Sequence, residues 1–294
     1  MAQDFWDDLY WEQQHLAHVA AVMEDAREEP GPVACHESAA VVHGLPLFGR
    51  PPDRVHVLCS DGVRASSTRD VLRHREAHDA DDIEEVDGIR CTTLARSVVD
   101  VARSASLETA VSCADAALHS VAASSPSRLY DEDAAEQLRD QMRAVLGRMS
   151  ATRGARKAAW VLAFADGRAQ LPGESVSRLR LVQLGFVIRG LQVGVPRPDG
   201  GMYYVDIDTD DWWFEFDGKA KYLDESMRKG VSIEETVLDE KKREDVIRAS
   251  SGRRLIRATG EHIVSIPAFA GRLAAYGIHS PTRRPRPEAG PSFG

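Results

Sequence analysis

The chain reads as an α/β protein in two units, on three observations. Its 294 residues exceed what a single minimal core needs, so a second unit is expected. Short strand-like and helix-like pieces alternate from Pro32 to about Ser120. Residues 174–257 then give the order helix, strand, strand, strand, helix, strand, an αβββαβ core.

Composition narrows the class. Hydrophobic residues make up 43%, charged residues 28% and aromatics 6%, which is globular rather than disordered or collagenous material. Cys35, Cys59, Cys91 and Cys113 lie far apart without a CxxC pair, which argues against a disulfide framework and a zinc ribbon. No apolar run approaches the roughly 20 residues that cross a bilayer, and a cytoplasmic protein without a membrane partner is expected. The net charge of −9 is concentrated at one end: residues 1–30 hold eight acids against Arg27 and carry −7 of it. The remainder is nearly neutral, so charge does not exclude a nucleic-acid partner.

Residues 1–30 form an acidic helical segment carrying Phe5, Trp6, Tyr10, Trp11 and Leu16, broken at Gly31-Pro32. His36–His43 predicts a helix closed by Gly44. Arg54–Cys59 alternates like a strand, and Glu85–Arg90 does so more weakly. Thr92-Thr93 offers an N-cap to a helix from Leu94 to about Ser104, followed by a helix from Leu107 to His119. Ser120–Asp131 is a small, polar connection before helices over 133–148 and 153–165. The unit boundary falls between 120 and 170 and is set at 150/151, giving units 31–150 and 151–280 and a flexible Pro/Arg tail, 281–294.

In the second unit a helix from Glu174 stops at Gly185, and a strand covers Phe186–Val195. Strands Met202–Asp208 and Trp212–Lys219 form a hairpin around residues 208–211. A charged helix, Glu234–Ser250, ends at Gly252, and Arg253–Arg257 is a final strand.

The hairpin carries the chemistry. Alternation places Tyr204 and Asp206 on one face of the first strand, and Glu215, Asp217 and Lys219 on one face of the second. A short loop pairs Asp206 with Trp213 and leaves Glu215 its diagonal neighbour, about 7–8 Å away. Two carboxylates at that spacing can grip one divalent cation at about 2.1 Å per ligand. A nearby lysine can hold an attacking water and the charge that develops on phosphorus.

This pattern resembles the PD-(D/E)XK nuclease core, with Glu174, Asp206 and Glu215-Phe216-Asp217-Gly218-Lys219 as the matching pieces. Across about Gly154–Ile263 it is similar to very-short-patch-repair-endonuclease-like proteins, whose strand Asp, Glu-x-Asp-Gly, charged helix and Arg-bearing strand correspond to Asp206, Glu215–Gly218, Glu240–Arg248 and Arg257. The resemblance implies a restriction-endonuclease-like fold, Mg²⁺ or Mn²⁺, and hydrolysis of a DNA phosphodiester by metal-activated water. The expected catalytic set is Glu174, Asp206, Glu215, Asp217 and Lys219, with Asp206 and Glu215 as metal ligands. Lys221, Lys241, Arg243, Arg248 and Arg257 are expected on the DNA backbone. Other readings stand beside these. Glu174 can serve its helix dipole, Gln192 an ordinary hydrogen bond or the site, and Trp212 and Trp213 strand packing. The alternating charges of Glu240–Arg248 also fit a solvated helix face.

Residues 33–120 resemble the effector region of AbiEi-type antitoxins of type IV toxin–antitoxin systems. The matching pieces are His36–Ala40 with His43–Pro46, Thr93–Arg96 with Asp100, and Ala114–Leu118. Physically, Thr93 caps a helix on which Arg96 and Asp100 pair, and His36 and His43 suit core or helix-end roles rather than metal ligation. Such antitoxins begin with a winged helix-turn-helix, and the acidic segment stands in its place, which moves the expected DNA contact to the second unit. The alternative to a nuclease is a non-catalytic regulator that binds DNA or a cognate toxin.

Overall fold

The structure, a computed structural model, describes residues 6, 9–25, 31–59, 66–123, 130–218 and 233–281, with backbone only at 233–240 and 251. Phe5, most of the N-terminal acids, Lys219, Lys221 and the Pro/Arg tail beyond Pro281 lie outside the described residues. The chain divides into two compact units, Met1–Gly167, with the last two residues, and Arg168–Ser292.

The N-terminal unit begins with α1 (Trp11–Asp25), β1 (Val33–Ala34) and α2 (His36–Val42). The helix α1 buries His15 and Val19, and Leu16, Val22 and Met23 pack against Ala34, Ala39, Val42, Val55, Val57 and Cys91. His15 Nε2 lies 2.9 Å from Ser38 Oγ, tying this segment to α2. As its sequence predicts, α2 is closed by Gly44, at φ +71°, with Leu45 N–H returning to Ala40 O.

β2 (Val55–Leu58), β3 (Val71–His74), β4 (Ile83–Val86) and β5 (Ile89–Thr92) complete a five-stranded sheet in the order β3-β2-β1-β5-β4. The expected single strand Glu85–Arg90 is instead the β4–β5 hairpin. Asp87 and Gly88 both take positive φ, 50° and 80°, so the chain reverses there in a primed turn.

Helices α3 (Leu94–Ser104), α4 (Leu107–Ala122), α5 (Glu132–Arg148) and α6 (Ala155–Phe164) pack together beyond the sheet strands. Thr93 Oγ1 accepts the Arg96 N–H and Ser106 Oγ the Thr109 N–H, capping α3 and α4. The core includes the fully buried Val98, Val99, Val111 and Leu118. Each such side chain contributes about 1.5–3 kcal/mol by leaving water. Gly154 (φ +83°) precedes α6 so closely that an added Cβ would stand 2.3 Å from Arg103 O. Through these contacts α6 falls with the N-terminal unit, whereas the sequence alone assigns residues from 151 to the second.

The C-terminal unit follows the order expected: α7 (Pro172–Gln183), β6 (Gly190–Pro196), β7 (Met202–Asp208), β8 (Trp212–Phe216), α8 (Ile233–Ser251) and β9 (Arg254–Ala258). α9 (Gly260–Ile263) and α10 (Ile266–Ala274), not read from the sequence, come after it. The sheet runs β6-β7-β8-β9, antiparallel except for the parallel pair β8–β9. Phe214 and Phe269 meet at 5.5 Å on its core, and Val195, Val205, Trp213, Ile247 and Leu255 form a second apolar cluster. Gly173 lies against Phe216, and an added Cβ would come within 2.1 Å of its ring.

The hairpin register differs from expectation. Trp213 pairs with Asp208, not Asp206, and Phe214 pairs with Ile207. The turn sits one residue later than expected: Thr209 N–H bonds to Trp212 O at 3.1 Å and Thr209 Oγ1 accepts the Trp212 N–H at 3.2 Å. Backbone pairing ends at Ile207–Phe214, after which Asp206 Oδ2 accepts the Phe216 N–H at 2.8 Å. A side-chain carboxylate thus takes over from the backbone ladder where the two strands part.

Candidate functional site

Three expected site residues converge on different partners. Glu174, in the first turn of α7, is buried, and its Oε2 accepts the Gln170 N–H at 2.9 Å. Gln192 on β6 has φ +49°, a conformation in which its amide Nε2 reaches both Glu174 Oε2 (3.1 Å) and Asp206 Oδ1 (3.3 Å). Gln192 thus hydrogen-bonds two of the expected site carboxylates, which agrees with both readings given for it.

Glu215 has other company. Arg243 Nη1 donates to its Oε2 at 2.9 Å, Arg243 Nη2 donates to its Oε1, and Arg257 Nε lies 3.3 Å from Oε2. Arg243 Nη2 also reaches Tyr204 O at 2.8 Å. The carboxylate is therefore neutralised by guanidiniums. Asp217 anchors its backbone N–H on Ala258 O, and its buried Oδ1 has no hydrogen-bond partner.

The residues fit a hard divalent cation in part. Glu174 and Asp206 direct oxygens to one shared point, now taken by an amide nitrogen, and Asp217 has a carboxylate oxygen to give. Glu215 does not fit while two guanidiniums hold it.

The expected DNA contacts are likewise distributed. Lys241 is exposed, Arg248 pairs with Glu244 at 2.6 Å, and Arg243 and Arg257 are engaged with Glu215. The i,i+4 pair on α8 follows the solvated-face reading. Trp212 and Trp213 are buried, Trp212 edge-on to Phe186 and Trp213 beneath the Arg253 guanidinium, so both serve packing.

The N-terminal unit has a more closed ionic centre. Arg96, 1% exposed, donates from Nε to both Asp100 oxygens (3.1 and 3.0 Å), from Nη1 to Asp82 (3.1 Å) and from Nη2 to Glu76 (3.3 Å). Arg103 adds bonds to Glu76 and Asp100, and Arg148 one to Asp82. Burial opposes ionisation of Glu76, yet Arg103 and Arg96 hold its carboxyl below the usual range. The Arg96–Asp100 pair follows from spacing along α3. Glu76, Asp82 and Arg148 arrive from distant segments and carry no local signal. His43 Nε2 meets Thr92 O at 2.7 Å, the helix-end role expected of it.

Residues 32–148, from the start of β1 to the end of α5, match the family model of the AbiEi antitoxin C-terminal domain. Comparison with curated proteins and with solved structures gave no match. Among the described residues, no helix is long and apolar enough to cross a membrane.

Proposed function

We propose that the protein is a regulator of the toxin–antitoxin type, in which residues 32–148 supply the antitoxin activity. The observation that carries this reading is the family match, which coincides with the sheet and helices built around Arg96. In such a role the unit needs a rigid surface for a toxin or for DNA, and a buried ionic centre holding β4, α3 and α5 together serves that need.

The test is a growth assay in cells that express a toxin encoded beside this gene. Co-expression of the full chain should restore growth, and Arg96→Ala should not. Failure of the intact, soluble chain to restore growth or to lower toxin transcription would remove this reading.

A second reading is favoured by one specific observation: Glu174 and Asp206 share the Gln192 amide. On this reading the C-terminal unit is a metal-dependent DNA nuclease, in which Mg²⁺ or Mn²⁺ would be held by Asp206 and Glu174 with help from Asp217. The metal, when bound, would activate water for attack on phosphorus. Gln192 would hold the two carboxylates in place, and Lys219, Lys221 and Lys241 would meet phosphate. Nicking of plasmid DNA that needs Mn²⁺ and disappears in Asp206→Ala would support it. Equal nicking by both proteins, or none, would end it.

A further inference from the structure

A second cluster in the N-terminal unit adjoins the Arg96 centre. Cys35, His36 and His74 each offer a ligand atom, and the three atoms lie within 4.8 Å of one another. Cys35 Sγ is 3.2 Å from His36 Nδ1, and the His36 and His74 rings stack at 3.8 Å. The sheet makes this meeting. Leu58 on β2 stands opposite Val33 on one side and His74 on the other, so the end of β3 comes level with the junction of β1 and α2.

Several features set the cluster apart from ordinary core packing. His36 is buried and sits at φ +53°, a left-handed conformation that costs a residue other than glycine about 1–3 kcal/mol. His74 Nε2 is buried without a hydrogen-bond partner. His36 Nε2 faces Glu76 Oε1 at 3.9 Å, while its other nitrogen faces the thiol. A cavity of about 1020 Å³ opens beside the cluster and is lined by His36, His74, Glu76 and Arg103.

We propose that Cys35, His36 and His74 form a three-ligand site for a zinc-type divalent cation, with the fourth position open to this cavity. One thiolate and two imidazoles are the donors that suit a borderline-soft ion. Bonds of about 2.0–2.3 Å place tetrahedral ligand atoms about 3.3–3.8 Å apart, so the Cys35–His36 pair at 3.2 Å is already at binding distance, and His74 turns out of its stack on His36 and closes by up to about an ångström. The Cys35 thiol gives up its proton to solvent as the sulfur–metal bond forms. Glu76, its Oε1 3.9 Å from His36 Nε2, needs to move in by about an ångström to accept that N–H and become the outer-shell carboxylate that metal-bound histidines ordinarily have. This site is separate from the antitoxin and nuclease readings and holds or fails without them.

The test uses the full chain, stripped with chelator and titrated with Co²⁺. One ion per chain is expected, with a thiolate-to-cobalt charge-transfer band that Zn²⁺ abolishes on displacement. Cys35→Ser should lose the band, His74→Gln should weaken binding at least tenfold, and Glu76→Gln about 10–100-fold. Exposed His279→Ala should change nothing. Circular dichroism identifies any variant that fails to fold, and affinities are then compared among the folded ones. Absence of the band in the intact chain, or equal Co²⁺ affinity in folded His74→Gln, overturns the site.

Discussion

Two groups of carboxylates in this molecule have opposite neighbours. Around Arg96, the Asp82, Asp100 and Glu76 carboxylates are closed by three guanidiniums, those of Arg96, Arg103 and Arg148. At the opening of the C-terminal sheet, Glu174 and Asp206 share the Gln192 amide, and the guanidiniums of Arg243 and Arg257 hold Glu215. A cation already in place makes a carboxylate cluster a structural joint. An amide bridge orients two carboxylates without supplying a countercharge of its own. Residue types alone do not separate the two cases; what closes the cluster does.

The contrast predicts a hierarchy of stability losses. Arg96→Ala removes the buried cation that Asp82, Asp100 and Glu76 share, leaving only Arg103 and Arg148 to hold them, and should cost about 3–5 kcal/mol in urea unfolding. A loss below about 1 kcal/mol would break the distinction at its strongest point. Glu215→Ala leaves Arg243 and Arg257, each partly exposed and able to reach water, so about 1–3 kcal/mol is expected. Gln192→Ala removes two neutral-donor bonds and relieves a positive φ only slightly. It should cost about 0.5–1.5 kcal/mol. A larger loss there would mean that the amide is itself a structural joint.

Acid sharpens the comparison between units. Burial, reinforced by His56 and His18, lowers His15 from 6.5 to about 4. The unfolded chain therefore takes up this proton first as pH falls below 6.5, and stability is lost until the folded His15 itself titrates near 4. Above 6.5 that contribution is fully present. Hydrogen exchange should show α1 and the β1–β2 region loosening through this window before β7 and β8 do, and His15→Asn should reduce the effect, with His36 and His74, which burial lowers likewise, carrying the rest. Simultaneous loosening of both units would contradict it.

Much of the fold is legible in the sequence. Thr93 and the apolar spacing after it define α3, and β7 alternates cleanly enough that its bounds agree with expectation. β3 escapes a sequence reading because Val71–His74 is half-buried throughout and carries two basic residues, which blurs its period. The β4–β5 hairpin reads as one strand because four-residue strands leave little alternation on either side of Asp87-Gly88. At the sites, the Arg96–Asp100 pair is local and visible. The partners that decide each site's character are not, since Glu76, Asp82, Arg243 and Arg257 arrive through tertiary contacts across tens of residues.

The strand at the centre of the five-stranded sheet is also its shortest. Val33–Ala34 pairs antiparallel with β2 and parallel with β5, so two residues knit together segments more than thirty positions apart. Such a sheet cannot be zipped from a local hairpin, because both halves wait on a long loop closure before the middle gains its bonds. During synthesis β1 leaves the ribosome early but must wait for residues 89–92 before its second edge is covered. Assembly order, and the time an open edge stays exposed, are thus set by the smallest element in the unit.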